Sequence, residues 1–189
     1  LLYLHTVNWL HRALRSLSIL FFPSSDTDLD IPSPFVTGFD NSRRSLFNEK
    51  MNEVPRVSHM EVYRHPDTQN GGPSLPYRKT FDIYSLGIVL AKINFWKPMV
   101  FIMKLQDIDR SPKETKAIQE RWLVSEPRLV ESLRAEAGEK YAGAVETCLK
   151  GRDAFGINRR DADTSANTAL LIQRTFNAMV VRTLAEIVV

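Results

Sequence analysis

The run His11-Arg12-Ala13-Leu14-Arg15-Ser16-Leu17-Ser18-Ile19-Leu20 bears most on what chemistry this chain can do. It offers an imidazole, two guanidiniums and two hydroxyls, but no carboxylate. Without a carboxylate the run holds no strong hard-cation ligand, and its imidazole is its only ready proton acceptor. The next acids downstream are Asp26, Asp28, Asp30 and Asp40. Other constellations are thinner. The pairs His5/His11 and His59/His65 are not at helical ligand spacing and have no acid four residues on, so no metal site is expected. Cys148 is the only cysteine, which excludes an internal disulfide and a cysteine-based zinc site. Its neighbours Ala144, Val145, Thr147 and Leu149 predict a buried helical position rather than a nucleophile. There is no Gly-x-Ser-x-Gly elbow, and Gly71-Gly72-Pro73 reads as a turn rather than a phosphate cradle.

Four motifs follow one another in a telling order. His11, Arg12, Leu14, Ile19 and Leu20 keep the frame of His-Arg-Asp-Leu-Lys-x-x-Asn-Ile-Leu. Ala13 stands at the aspartate, Arg15 at the lysine and Ser18 at the asparagine. Thr37-Gly38-Phe39-Asp40-Asn41-Ser42-Arg43 is similar to the segment around Asp-Phe-Gly, with Gly38 in the aspartate's place and Asp40 in the glycine's. Tyr63-Arg64-His65-Pro66-Asp67 resembles Ala-Pro-Glu. Asp82-Ile83-Tyr84-Ser85-Leu86-Gly87-Ile88-Val89-Leu90 matches Asp-x-x-Ser-x-Gly-x-x-Leu. Together these resemble the C-terminal lobe of the protein kinases. The match is specific over residues 1–97 and looser over 128–187, where the family's late arginine is not identifiable. The wording Leu4-His5-x-x-Asn8-Trp9-Leu10-His11 and Gly38-Phe39-Asp40-x-Ser42-Arg43 resembles fungal kinase-like proteins that occur with HeLo-type, prion-inhibition and propagation regions linked to cell death.

The resemblance implies that His11 and Phe39 stack to link the lobes. It implies that Asp82 accepts backbone hydrogen bonds from the loop, and that Ile19 and Leu20 lie beneath the adenine. Pro66 and Asp67 would close the activation segment, and Gly87 would sit inside the central helix. Arg12 would be placed to pair with a phosphorylated Ser42, Ser45 or Ser58. Phosphoryl transfer needs a proton-accepting aspartate and carboxylate and amide ligands for magnesium. With Ala13, Ser18 and Gly38 at those positions, no catalytic residue and no metal site are expected. The glycine-rich loop and strand lysine belong to an N-terminal lobe that this chain lacks, so ATP and magnesium are expected only if that lobe lies upstream. The leading expectation is a pseudokinase-type signalling or interaction module with protein partners, next to a missing N-lobe or an upstream helical domain. Two alternatives stay open. One is a divergent active Ser/Thr kinase fragment that uses Asp40, Asp26, Asp28 or Asp30. The other is a non-functional gene fragment, insoluble because Ile19 to Phe22 would be bare.

The elements that must position these residues read as mainly α. The whole of residues 1–189 is expected to be one partial kinase-like domain, with short β segments near 18–22 and 35–39. Leu1, Leu4, Val7 and Leu10 suit one face of a short opening helix. Residues 40–80 are polar and Pro/Gly-punctuated, as a regulatory loop would be. Phe81 to Ile93 is apolar on more than one face, which predicts a central buried helix. A capped helix is expected over 112–122, two helices divided near Gly138 over 128–150, and an amphipathic helix over about 166–187. Trp9, Phe21, Phe22, Phe35, Trp96 and Phe101 are assigned to the core.

The bulk numbers agree with a folded domain. An apolar share of 43% supports a core. A net charge of +3, from 25 basic and 22 acidic residues, gives no reason to expect nucleic acid. No apolar stretch approaches the roughly 20 residues of a membrane span. The single thiol fits a reducing cytoplasm. The opening inside an apparent helix, without methionine, is read as the start of a fragment.

Overall fold

A computed structural model describes residues 1–23, 30–45, 61–69, 76–102, 120–121, 127–158, 161, 163 and 165–187. The helix expected over 112–122 therefore lies largely outside the described residues, as do Asp26, Asp28, Ser58, His59 and Gly71 to Pro73.

The chain is mainly helical. In order it forms α1 (Leu2–Thr6), β1 (Trp9–Leu10), β2 (Ile19–Leu20), β3 (Phe35–Val36), β4 (Arg43–Arg44), α2 (Lys79–Phe95), α3 (Met99–Ile102), α4 (Pro127–Lys150) and α5 (Ala166–Phe176). A π-helical turn, Asn177–Arg182, leads from α5 into the closing α6 (Thr183–Ala185). Short 3-10 turns occupy Ser16–Ser18, Phe39–Asn41 and Pro66–Thr68.

Helix α2 organises the interior. Its buried side chains point in every direction, from Phe81 and Ile83 to Val89 and Ala91, as its all-round apolar sequence predicts. Tyr84, Ile88 and Ala91 pack on Leu133, Ala142, Val145 and Leu149 of α4, with Val62 and Met99 closing that cluster. On another side Ile83 meets Ala144, Cys148, Phe155 and Ile157, and α5 and its extension add Ile172, Phe176 and Val180. Cys148 is fully buried there, and burial pushes its thiol well up from its ordinary pKa. Helix α4 breaks at Gly138, whose φ of 80° and ψ of 169° suit only glycine. This is the division expected from the sequence.

Two antiparallel ribbons carry the site segments. Strand β1 pairs with β4, Trp9 opposite Arg44 and Leu10 opposite Arg43. Strand β2 pairs with β3, Ile19 opposite Val36 and Leu20 opposite Phe35. Both expected β segments are shorter than 18–22 and 35–39. The first is trimmed by the 3-10 turn at Ser16–Ser18, and the second ends where Gly38, at φ 85°, turns the chain into Phe39–Asn41.

Two expectations need correction. The opening helix stops at Thr6, because Asn8 takes a left-handed φ of 55° and reverses the chain. Val7 is thereby exposed and Leu10 enters the core from a strand. The aromatics assigned to the core are largely outside it. Phe21, Phe22, Phe35, Trp96 and Phe101 are exposed, and Trp9 is half-buried. The β2–β3 ribbon is too small to bury both its faces, and Phe22 and Phe35 pack edge-on against each other instead.

Gly87 shows how closely α2 and α4 approach. A Cβ at this position would lie 2.8 Å from the Cβ of Cys148 and 3.3 Å from Leu149. Alanine would gain about 1 kcal/mol of helix propensity, but forced overpacking costs about 1–3 kcal/mol. Gly87→Ala is expected to lose stability on balance, by about 1 kcal/mol, in urea unfolding. Cys148→Ala is expected not to rescue it, since the clash is with Cβ.

Candidate functional site

The loop between β1 and β2 is fastened to the start of α2 by one carboxylate. Asp82 is fully buried in the first turn of the helix. Its Oδ2 accepts the backbone N–H of His11 at 2.8 Å, and its Oδ1 accepts that of Arg12 at 2.8 Å. The Tyr77 hydroxyl donates to Oδ1 at 3.0 Å, and His5 Nε2 lies 3.2 Å from Oδ2. Burial alone would raise the Asp82 carboxyl, but the His5 contact and the Arg12 and His11 amides outweigh it and hold the pKa below its ordinary value. The Tyr77 hydroxyl is driven the other way, first by burial and then by the adjacent carboxylate. Arg12 holds a left-handed φ of 66°, a conformation that costs a non-glycine residue about 1 kcal/mol or more. The Asp82 hydrogen bond offsets that cost, and the guanidinium sits 5.3 Å from the centre of the Tyr77 ring.

The second segment closes on the first. Thr37 N–H donates to Ser18 O at 2.8 Å, and Ser42 Oγ donates to His11 O at 3.1 Å. The His11 ring is buried, with Nε2 3.1 Å from Thr37 O and the Phe39 ring 4.9 Å away. A donating Nε2 fits neutral imidazole. Burial lowers the His11 pKa, against the opposing pull of Asp82 and the Thr37 carbonyl. Ser18 Oγ donates to Ala13 O at 3.2 Å. A Cβ built on Gly38 would lie 3.3 Å from that same Ser18 Oγ.

His11, Ala13, Ser18, Gly38, Phe39 and Asp82 are thus brought into one neighbourhood. Ser18 Oγ there is spent on the Ala13 carbonyl, Gly38 offers no side chain, and the Asp82 carboxylate is engaged by the His11 and Arg12 amides. Asp40 is exposed in the Phe39–Asn41 turn, and Asp30 is half-buried in the preceding loop. Ile19 is half-buried and Leu20 exposed on β2. Other residues singled out by the sequence lie elsewhere. Arg15 lines a different cleft with Tyr63 and Lys92. Pro66 and Asp67 form the turn capped by His65, whose ring stacks on Phe81 at 4.4 Å. Asp67 is exposed, and its backbone N–H donates to His65 Nδ1 at 3.2 Å. Gly87 serves the contact between α2 and α4. Among the described residues no three His, Cys, Asp or Glu side chains gather as a metal site, and no helix is long and apolar enough to cross a membrane.

Several supports of the site escape sequence reasoning. The spacing of His5 speaks only to metal binding, yet its ring faces Asp82. Buried Lys79 donates to His5 O at 2.8 Å and Asn8 Oδ1 at 2.7 Å, fixing the turn before the loop. Nothing in the sequence marks Tyr77 and Lys79, and Asn8 enters only through the wording of the resemblance, because the fold alone brings the three together. The chain matches no model of a known protein family, and no curated protein matches it.

Proposed function

We propose that this chain is a pseudokinase-type signalling or interaction module, a kinase-like C-lobe that does not transfer phosphate. One observation supports the reading most. The positions that the kinase resemblance gives to the proton acceptor and the metal ligands, Ala13, Ser18 and Gly38, stand together and carry no carboxylate. The frame around them is kept, since the Asp82 carboxylate bonds the loop amides and Phe39 packs on His11. Loss of a general base alone typically costs about 10²–10⁴ in rate. Loss of the metal ligands removes the main stabilisation of the transferring phosphoryl group as well.

The module acts through protein partners in the cytoplasm, beside an upstream lobe or a helical cell-death domain. The exposed aromatics on the β2–β3 ribbon suit a surface that such a neighbour covers. Ser45 lines a small cleft with Arg12, Arg43 and Arg44, which suits regulation by a phosphate on that serine.

Thermal-shift titration with Mg-ATP, paired with a phosphotransfer assay on a generic protein substrate, tests the reading. The expected result is no transfer above the blank. Measurable transfer that vanishes in Asp40→Ala would instead make the chain an unconventional kinase.

A further inference from the structure

A second cleft, of about 200 Å³, opens where the 3-10 turn at Ser16–Ser18 faces the end of α2. Val62 and Met99 give it apolar walls, and Arg15, Ser16, Tyr63 and Lys92 supply its polar groups. Lys92 Nζ donates to Ser16 Oγ at 2.7 Å, and Ser16 Oγ lies 3.0 Å from the Tyr63 hydroxyl. The hydrogen bond of Lys92 thus runs to a neutral hydroxyl, and among the described residues no carboxylate lines the cleft. The Lys92 ammonium and the Ser16 and Tyr63 hydroxyls meet at a partly apolar hollow. That set recognises an acid carried on an aliphatic stem.

The end of the same helix adds an apolar feature. Trp96 caps α2 with its N–H bonded to Lys92 O at 2.9 Å, and it does so at φ 48°. Glycine is the residue this conformation favours, and a bulky side chain here is an outlier. The indole recovers nothing by burial, since it is 86% exposed. Phe101, three residues past Pro98, is exposed as well. Tryptophan is among the residues that dominate binding hot spots. A strained, solvent-facing tryptophan one helical turn past Lys92 gains nothing from burial among the described residues.

We propose that this cleft and Trp96 form a docking surface for an acidic segment of a protein partner. A glutamate or aspartate carboxylate enters the cleft and meets Lys92 with the Ser16 and Tyr63 hydroxyls. An apolar side chain of the same segment lies against Trp96 and Phe101. The inference goes beyond the pseudokinase reading and stands apart from it, because it rests on this cleft alone.

The test is fluorescence anisotropy on the full chain with a short labelled peptide carrying glutamates interleaved with leucines. Controls are the same peptide with glutamines and a version with phosphoserines. The glutamate peptide is expected to bind, more weakly as salt rises, and about ten-fold or more tighter than the glutamine peptide. Trp96→Gly is expected to weaken binding about ten-fold while the melting temperature holds or rises, because glycine relieves the strained cap. Lys92→Met is expected to abolish the preference for acid. Equal binding of the glutamine peptide, binding of the phosphoserine peptide alone, or unchanged affinity in folded Trp96→Gly would overturn the proposal. Mg-ATP titration of the same protein reads the phosphotransfer question separately, so either idea can fail without the other.

Discussion

Asp82→Ala is expected to cost about 3–5 kcal/mol of folding stability, the penalty for stripping one partner from a buried charged network. A domain has only about 5–15 kcal/mol in hand, so the variant should lose a third or more of a typical stability. The reason lies in what the carboxylate leaves behind. The N–H groups of His11 and Arg12 each donate to it at 2.8 Å, and the Tyr77 hydroxyl at 3.0 Å. Every such donor left buried without an acceptor costs about 1–3 kcal/mol. Arg12 would keep its left-handed backbone without the Asp82 hydrogen bond that offsets it. Asp82→Asn tests the same point with the shape preserved. Both carboxylate oxygens accept two contacts each, so whichever way the amide turns, its NH₂ faces a backbone N–H. The asparagine variant is therefore expected to lose less than the alanine variant but not to be neutral. Urea unfolding followed by circular dichroism measures both. A loss under about 1 kcal/mol for the alanine variant would mean that the loop is held by something other than this carboxylate.

The same carboxylate sets an acid limit. Its folded pKa is depressed, so its contribution is full above the ordinary aspartate value near about 4. That contribution is lost as pH falls below it, because the unfolded chain then binds the proton first.

Legibility in the sequence follows the range of the interaction. Helix α2 is readable because burial on every side leaves an apolar run that no other environment favours. The break in α4 is readable because glycine at 138 is the local cause of it. The meeting of His11, Phe39 and Asp82 is also expected, though from the wording of motifs rather than from periodicity. The aromatics mislead for the opposite reason. Phe21, Phe35, Trp96 and Phe101 look like core by type, but their burial depends on which neighbours the fold brings, and the short ribbons and the α2 cap leave them in solvent. The Lys92–Ser16–Tyr63 group spans far-separated segments whose spacing carries no signal. Val7 misleads because one left-handed residue, Asn8, ends a helix that the apolar spacing would continue.

Between pH 6.5 and 4 the protein is expected to lose on the order of 3 kcal/mol of stability through His65 alone. Burial pushes this imidazole down to about 4, with Arg78 adding to the fall and Asp67 opposing it. The geometry agrees with a neutral ring. Nδ1 accepts the N–H of Asp67 at 3.2 Å, which a protonated nitrogen cannot do. The ring stacks on Phe81 and meets Tyr84 edge-on at 5.2 Å. An unfolded histidine takes its proton near about 6.5. Across the window the unfolded chain therefore binds more protons, and stability falls as pH falls. Above about 6.5 the contribution is complete, and below about 4 this residue adds no further slope. His11, lowered by burial, acts in the same direction. His65→Asn removes the titration but keeps an oxygen able to accept from Asp67 N–H, as asparagine does in local turns. It should flatten the pH dependence of the urea midpoint between about 6.5 and 4, whatever it costs at neutral pH. Histidine ring-proton NMR reads the same quantity directly, and a His65 midpoint at the ordinary value would show that the stacked ring is open to water and carries none of the acid sensitivity.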